Sequence, residues 1–69
     1  MNMSEANANE LMTGAEAAEF LRISPKTLPR WRWEGSGPNF VRVGRKVFYR
    51  RGDLAEYLLG RVVRVEGEN

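Results

Sequence analysis

The sequence predicts a small, mostly α-helical domain with one β-hairpin, in the order α-α-β-β-α. Three observations carry that prediction. A chain of 69 residues holds one hydrophobic core and no second domain. Two helix-start signals, Thr13-Gly14-Ala15-Glu16 and Ser24-Pro25, precede short apolar-periodic stretches. Between Phe40-Val41-Arg42-Val43 and Val47-Phe48-Tyr49-Arg50, the segment Gly44-Arg45-Lys46 has the composition of a hairpin connection.

Each element follows from local chemistry. Residues 1–10 have little apolar content and are expected to form a disordered tail. Thr13 is the expected N-cap of helix 1, with Glu16 reaching back and Leu11 and Met12 packing over the cap as a staple. Ala17, Phe20 and Leu21 fall at helical spacing, and Ala18 keeps the helix slim. Arg22-Ile23-Ser24 is a three-residue connection. Helix 2 is expected to end at Glu34, with Gly35 in the left-handed region and Leu28 and Trp31 facing the core. Pro29 leaves two starts open: a distorted first turn from Ser24, or a regular helix beginning nearer Thr27. In the hairpin, a three-residue connection would put Val41, Val43, Val47 and Tyr49 on one face. A two-residue Gly44-Arg45 turn would instead pair Val41 with Phe48. Helix 3 is expected from Arg51–Asp53, with Leu54, Tyr57 and Leu58 as its stripe and Gly60 as its cap. Arg61-Val62-Val63-Arg64-Val65 suits a short strand or an extended segment. The domain is thus expected over residues 11–60, with a C-terminal tail over 61–69.

Composition removes whole function classes. There is no Cys and no His, which excludes disulfides, thiolate or imidazole metal sites, thiol nucleophiles and His-based acid/base chemistry. Residues 1–10 lack Lys and Arg and do not read as a signal peptide, and no apolar run could span a bilayer. Asp53 and Glu56 read as a solvated helix pair. Gly35-Ser36-Gly37 lacks the flanking Lys-Ser/Thr of a phosphate loop. The expectation is a cytoplasmic, non-enzymatic domain with no cofactor, no metal and no membrane partner.

Charge is concentrated in the middle of the chain. Nine basic residues lie between Arg22 and Arg51 against one acid, Glu34, for a net +8, while both flanks are acidic. Such a block suits a polyphosphate, because each neutralised phosphate releases condensed counterions.

Two helices joined by a tight turn, a basic hairpin and a packing helix make a winged helix-turn-helix. The ordered set Leu11-Met12-Thr13, Ala17-Ala18-Glu19-Phe20-Leu21, Ile23-Ser24, Thr27-Leu28, Trp31-Arg32, Glu34-Gly35, Gly37 to Arg45, Tyr49-Arg50-Arg51, Asp53-Leu54 and Tyr57-Leu58 resembles the small excisionase and AlpA-like DNA-binding proteins of the MerR-type winged-helix superfamily. Pro29 departs from the pattern, where the family carries a good helix former. The resemblance implies sequence-specific binding of double-stranded DNA, with helix 2 in the major groove and the wing against an adjacent minor groove.

The residues themselves give a candidate DNA-binding set of Lys26, Thr27, Arg30, Arg32, Arg42, Arg45, Lys46 and Arg50. Lys26 and Arg30 share a helix face, and Arg can bind guanine in bidentate fashion. Thr27 either touches DNA or bonds Ser24 within the cap. Arg32 either grips a phosphate or pairs with Glu34 or Glu19. Arg45 and Lys46 mark the wing tip, Arg42 and Arg50 its outer face, and Arg51 caps or pairs near helix 3. Trp31 reads as core. Trp33 either covers the base of the wing or marks a partner surface.

Three functions follow. The leading one is an excisionase of a mobile element, a recombination directionality factor that binds attachment-site repeats and lets an integrase run excision. The second is an AlpA-like transcriptional regulator acting at promoter repeats. The third is a protein-interaction or inhibitor module using Trp33, Phe48 and the valine tail. Neighbouring copies on DNA are an expected partner, with Val62, Val63 and Val65 as a sticky edge unless they pack on the core.

Overall fold

The structure, a computed structural model, describes residues 8–65. The expected disorder of the N-terminal tail falls for residues 1–7 outside the described residues, as do residues 66–69. The elements are β1 (Leu11–Thr13), α1 (Gly14–Leu21), α2 (Thr27–Glu34), β2 (Val41–Val43), β3 (Lys46–Arg50) and α3 (Arg51–Leu59). The three strands form one antiparallel sheet in the order β1-β3-β2. This is a winged helix-turn-helix. Its sheet gains a third strand from Leu11–Thr13, of which the sequence presented Leu11 and Met12 as a staple over the cap at Thr13. Met12 instead pairs with Tyr49 on the central strand.

Helix α1 starts on the full capping box. The Glu16 amide donates to Thr13 Oγ1 at 3.1 Å, and the Thr13 amide donates to Glu16 Oε1 at 2.9 Å. Its far end closes when the Ile23 amide bonds the Ala18 carbonyl and the Arg22 amide bonds the Glu19 carbonyl, a Schellman motif. Arg22 holds φ at 61° to allow this. Helix α2 closes in the same way on Gly35, with Ser36 bonding Trp31 and Gly35 bonding Arg32.

Of the two starts open to helix 2, the structure takes Thr27. Ser24 to Thr27 form a turn, with the Thr27 amide on the Ser24 carbonyl at 2.9 Å and the Lys26 amide on Ser24 Oγ at 3.3 Å. Pro25 holds the second position of that turn, which its fixed φ suits. Pro29 therefore falls in the first turn of α2, among the amides that have no partner within the helix.

The hairpin takes the two-residue connection. Val43 pairs with Lys46 and Val41 with Phe48. Gly44 holds φ at 60° while Arg45 stays out of the positive region, as a type II′ turn requires. Side chains alternate across the sheet, so Met12, Arg42, Val47 and Tyr49 lie on the inner face. Val41 and Val43 lie on the outer face with Leu11 and Phe48. Of the two registers open in the sequence, the structure takes the one that pairs Val41 with Phe48 and not the grouping of Val41, Val43, Val47 and Tyr49.

Met12, Ala17, Ala18, Leu28, Tyr49 and Leu54 form the buried core, with Phe20, Leu21, Ile23, Trp31 and Val47 packed against it. The two alanines let α1 lie close to its neighbours. Full burial of Leu28 and Leu54 contributes roughly 1.5–3 kcal/mol each. Gly37 is needed for a close approach: a Cβ there would sit 2.9 Å from Trp31 Cε3. Trp31 also packs on Tyr57, with ring centroids 5.7 Å apart. Residues 61–65 form no strand, and Val62, Val63 and Val65 are exposed rather than packed on the core.

Because Pro29 sits where its missing N–H has no intrahelical role, Pro29→Ala is expected to be nearly neutral. The expected shift is within about 1 kcal/mol, since Ala's helix propensity is offset by a looser unfolded chain. Urea denaturation checks this. A gain of about 3 kcal/mol would place Pro29 in a helix interior instead.

Candidate nucleic-acid interface

Helix α2 divides cleanly. Leu28 is buried, and Trp31 and Arg32 are half-buried on the core side. At 100° per residue, Pro29, Arg30 and Trp33 fall together on the opposite side, and all three are exposed. Lys26, also exposed, extends that face just before the first turn. Thr27 is half-buried at its edge; its amide bonds the Ser24 carbonyl in the turn before the helix, and its hydroxyl makes no hydrogen bond to the described residues. Trp33 does not cover the wing: its side chain is 90% exposed on the same face as Arg30. The sequence signal for this was the three-residue spacing of Arg30 and Trp33, both outside the core stripe.

The wing presents Arg45 within the turn and Lys46 at the first position of β3, both exposed. Arg42 departs from the expected outer face. With the two-residue turn it belongs to the inner face, on the side where α2 packs, whereas Arg50 belongs to the outer face.

Between helix and wing lies a cluster that no local pattern announced. Arg32 Nη1 donates to Tyr49 Oη at 2.7 Å. Its guanidinium also lies 5.6 Å from the centre of the Phe40 ring, and Arg42 lies 5.7 Å from the same ring. Phe40 in turn packs against Tyr49 at 6.3 Å. Arg32 thus pairs with neither Glu34 nor Glu19. It joins α2 to the central strand and, with Arg42, puts two cations around one aromatic platform.

Arg50 and Arg51 are committed elsewhere. Arg50 Nε and Nη2 grip Asp53 at 2.8 and 3.1 Å, across the start of α3. The Asp53 carboxylate, by its hydrogen bond first and its charge second, holds the Arg50 guanidinium above its ordinary pKa. Arg51 pairs with Glu10 at 3.2 Å, its amide bonds the Glu10 carbonyl at 2.9 Å, and its guanidinium lies 5.1 Å over Phe20. It ties the lead into β1 to both α1 and α3. Two of the nine central cations are therefore paired, leaving seven without an ion pair among the described residues.

Residues 11–62 match the family model described as helix-turn-helix domain, well over half of the chain. The chain belongs to the helix-turn-helix domain family. It is a DNA-binding protein of the helix-turn-helix type, and the basic middle of the sequence falls inside the matched region. No curated protein and no solved structure matches the chain. No helix among the described residues is long and apolar enough to cross a membrane.

Tyr49→Phe tests the link between helix and wing. It removes the one acceptor that Arg32, half-buried, has among the described residues and is expected to cost about 1–2 kcal/mol. The midpoint of urea unfolding should fall with an unchanged m-value. An unchanged midpoint would mean that water replaces the hydroxyl at no cost.

Proposed function

We propose that this helix-turn-helix protein reads duplex DNA with the exposed face of α2 and holds it with the wing, and that it serves as an excisionase of a mobile element. The observation that carries the DNA geometry is an arc of cations without an ion pair among the described residues: Arg30 on α2 with Lys26 just before it, Arg32 and Arg42 around Phe40, and Arg45 and Lys46 on the wing. Arg30 reads base edges in the major groove, with Lys26 and Thr27 beside it on phosphate or base. Arg45 and Lys46 neutralise phosphates at the adjacent minor groove. Arg50, gripped by Asp53, adds charge at the base of the wing. The excision role is supported by the resemblance of the ordered motif set to the excisionase and AlpA-like proteins. An integrase, and further copies on neighbouring repeats, are the protein partners that accompany it.

Footprinting over the flanking genomic region tests the role. Protection of repeats at an attachment site, with faster excision when an integrase is added, is the expected result. Protection confined to a promoter would overturn excision in favour of regulation.

With seven central cations unpaired among the described residues, about 4–7 phosphate contacts are expected. The corresponding log–log dependence of the binding constant on salt has a slope of about −4 to −6. Fluorescence anisotropy against salt concentration measures it, and a slope near zero would overturn the DNA geometry.

Arg30→Ala and Arg45→Ala are expected to separate reading from holding. Arg30→Ala should lose about 1–3 kcal/mol of discrimination between specific and random duplexes. Arg45→Ala should weaken both alike. Equal losses for both variants on both duplexes would remove α2 from the reading role.

A further inference from the structure

The exposed tryptophan on α2 has no structural task among the described residues. Trp33 is 90% exposed, and no aromatic or cation–π partner reaches it among the described residues. Full burial of a side chain this large would be worth more than most single contacts in the domain. A lysine or glutamate would suit a solvated helix equally well. Yet Trp33 lies one turn beyond Arg30, on the face that also carries Lys26.

We propose that Trp33 is a base-reading residue whose indole ring seats on a thymine methyl group in the major groove, beside the base pair contacted by Arg30. The inference rests on the proposed DNA geometry and extends it to a specificity position. Three physical facts point to thymine. The cations flanking Trp33 favour a polyanionic occupant over an apolar protein surface. An eight-residue helix is about 12 Å long, so its whole exposed face fits along a groove about 12 Å wide. On the major-groove edges of the bases, the thymine methyl is the apolar group available to an aromatic ring. Three residues advance about 4.5 Å along the helix axis, against about 3.4 Å per base step. Trp33 therefore meets the pair one or two steps from the guanine read by Arg30. Its Nε1–H remains free to donate to a phosphate or a base acceptor.

The test begins with duplexes selected by the full chain from a randomised 20-base-pair library. Each thymine of the selected site is then replaced singly by deoxyuridine, which removes only the methyl group. At one thymine, one or two steps from the guanine whose readout Arg30→Ala abolishes, the loss of methyl should weaken binding about fourfold, the worth of one buried CH₂. Trp33→Ala should bind the thymine and uracil duplexes equally, while Trp33→Phe should keep part of the difference. Trp33 is so exposed that neither variant threatens the fold. Acrylamide quenching of wild type against Trp33→Phe should show the indole shielded on the selected duplex.

Selection of a site with no such thymine, or a methyl effect that survives Trp33→Ala, would overturn this inference while leaving DNA reading by α2 intact. An indole still open to acrylamide in the complex would do the same and would turn the residue over to a protein partner. A chain that selects no duplex at all would overturn the DNA geometry itself, and this inference with it.

Discussion

The hydroxyl of Tyr49 is the point on which the two halves of the molecule depend. Tyr49 is wholly buried on the central strand of the sheet, and a buried hydroxyl without a partner costs about 1–3 kcal/mol. Arg32 supplies the partner from α2 at 2.7 Å. The same guanidinium then lies over Phe40, the residue that leads into β2. One side chain thus fixes the angle between helix and wing. On the other side of β3, β1 completes the sheet and places Met12 opposite Tyr49. A two-stranded hairpin alone is marginal in water. The third strand and the helices make it a rigid support.

The core that surrounds Tyr49 is small, and its small members matter as much as its large ones. Ala17 and Ala18 are fully buried because α1 runs close against its neighbours, and Gly37 gives Trp31 room for its ring. Larger side chains at these places would push α1 or the loop outward and tilt α2 with them. In the proposed interface, where one base step is about 3.4 Å, a shift of that kind would move Arg30 off its base. Packing far from the exposed face therefore sets the precision of that face.

What was legible in the sequence was local. The capping box at Thr13 and Glu16, the left-handed closure at Gly35, and the start of α3 near Arg51 each depend on residues within one or two turns. What was hidden depended on partners far along the chain. Leu11–Thr13 has no strand signal of its own, since three residues show no period and their partners lie on β3. The pairing of Arg51 with Glu10 spans 41 positions. The hairpin register was decided by one conformational fact, the positive φ at Gly44. That fact carried Arg42 with it, because a shift of one residue moves every side chain to the other face. Pro29 looked awkward only while the helix was counted from Ser24. Counted from Thr27, it occupies a first-turn position that needs no N–H.

The cations of the proposed interface are held with different firmness, and that difference assigns them different work. Arg32 is already fixed by Tyr49 and Phe40, so little side-chain entropy is lost when it meets a phosphate. In the proposed interface it would act as a reference point for how the duplex lies against the helix. Arg45 and Lys46 stand free in solvent at the wing tip. Each loses more freedom on binding and gains mainly Coulomb attraction, which salt screens. Arg30 lies between these cases: exposed, yet on a helix whose angle is set by Arg32. Reading a base requires a donor held in register, whereas holding a phosphate requires only charge within reach. In the proposed interface, specificity therefore resides in the helix that Tyr49 anchors, and the wing contributes affinity that is indifferent to sequence.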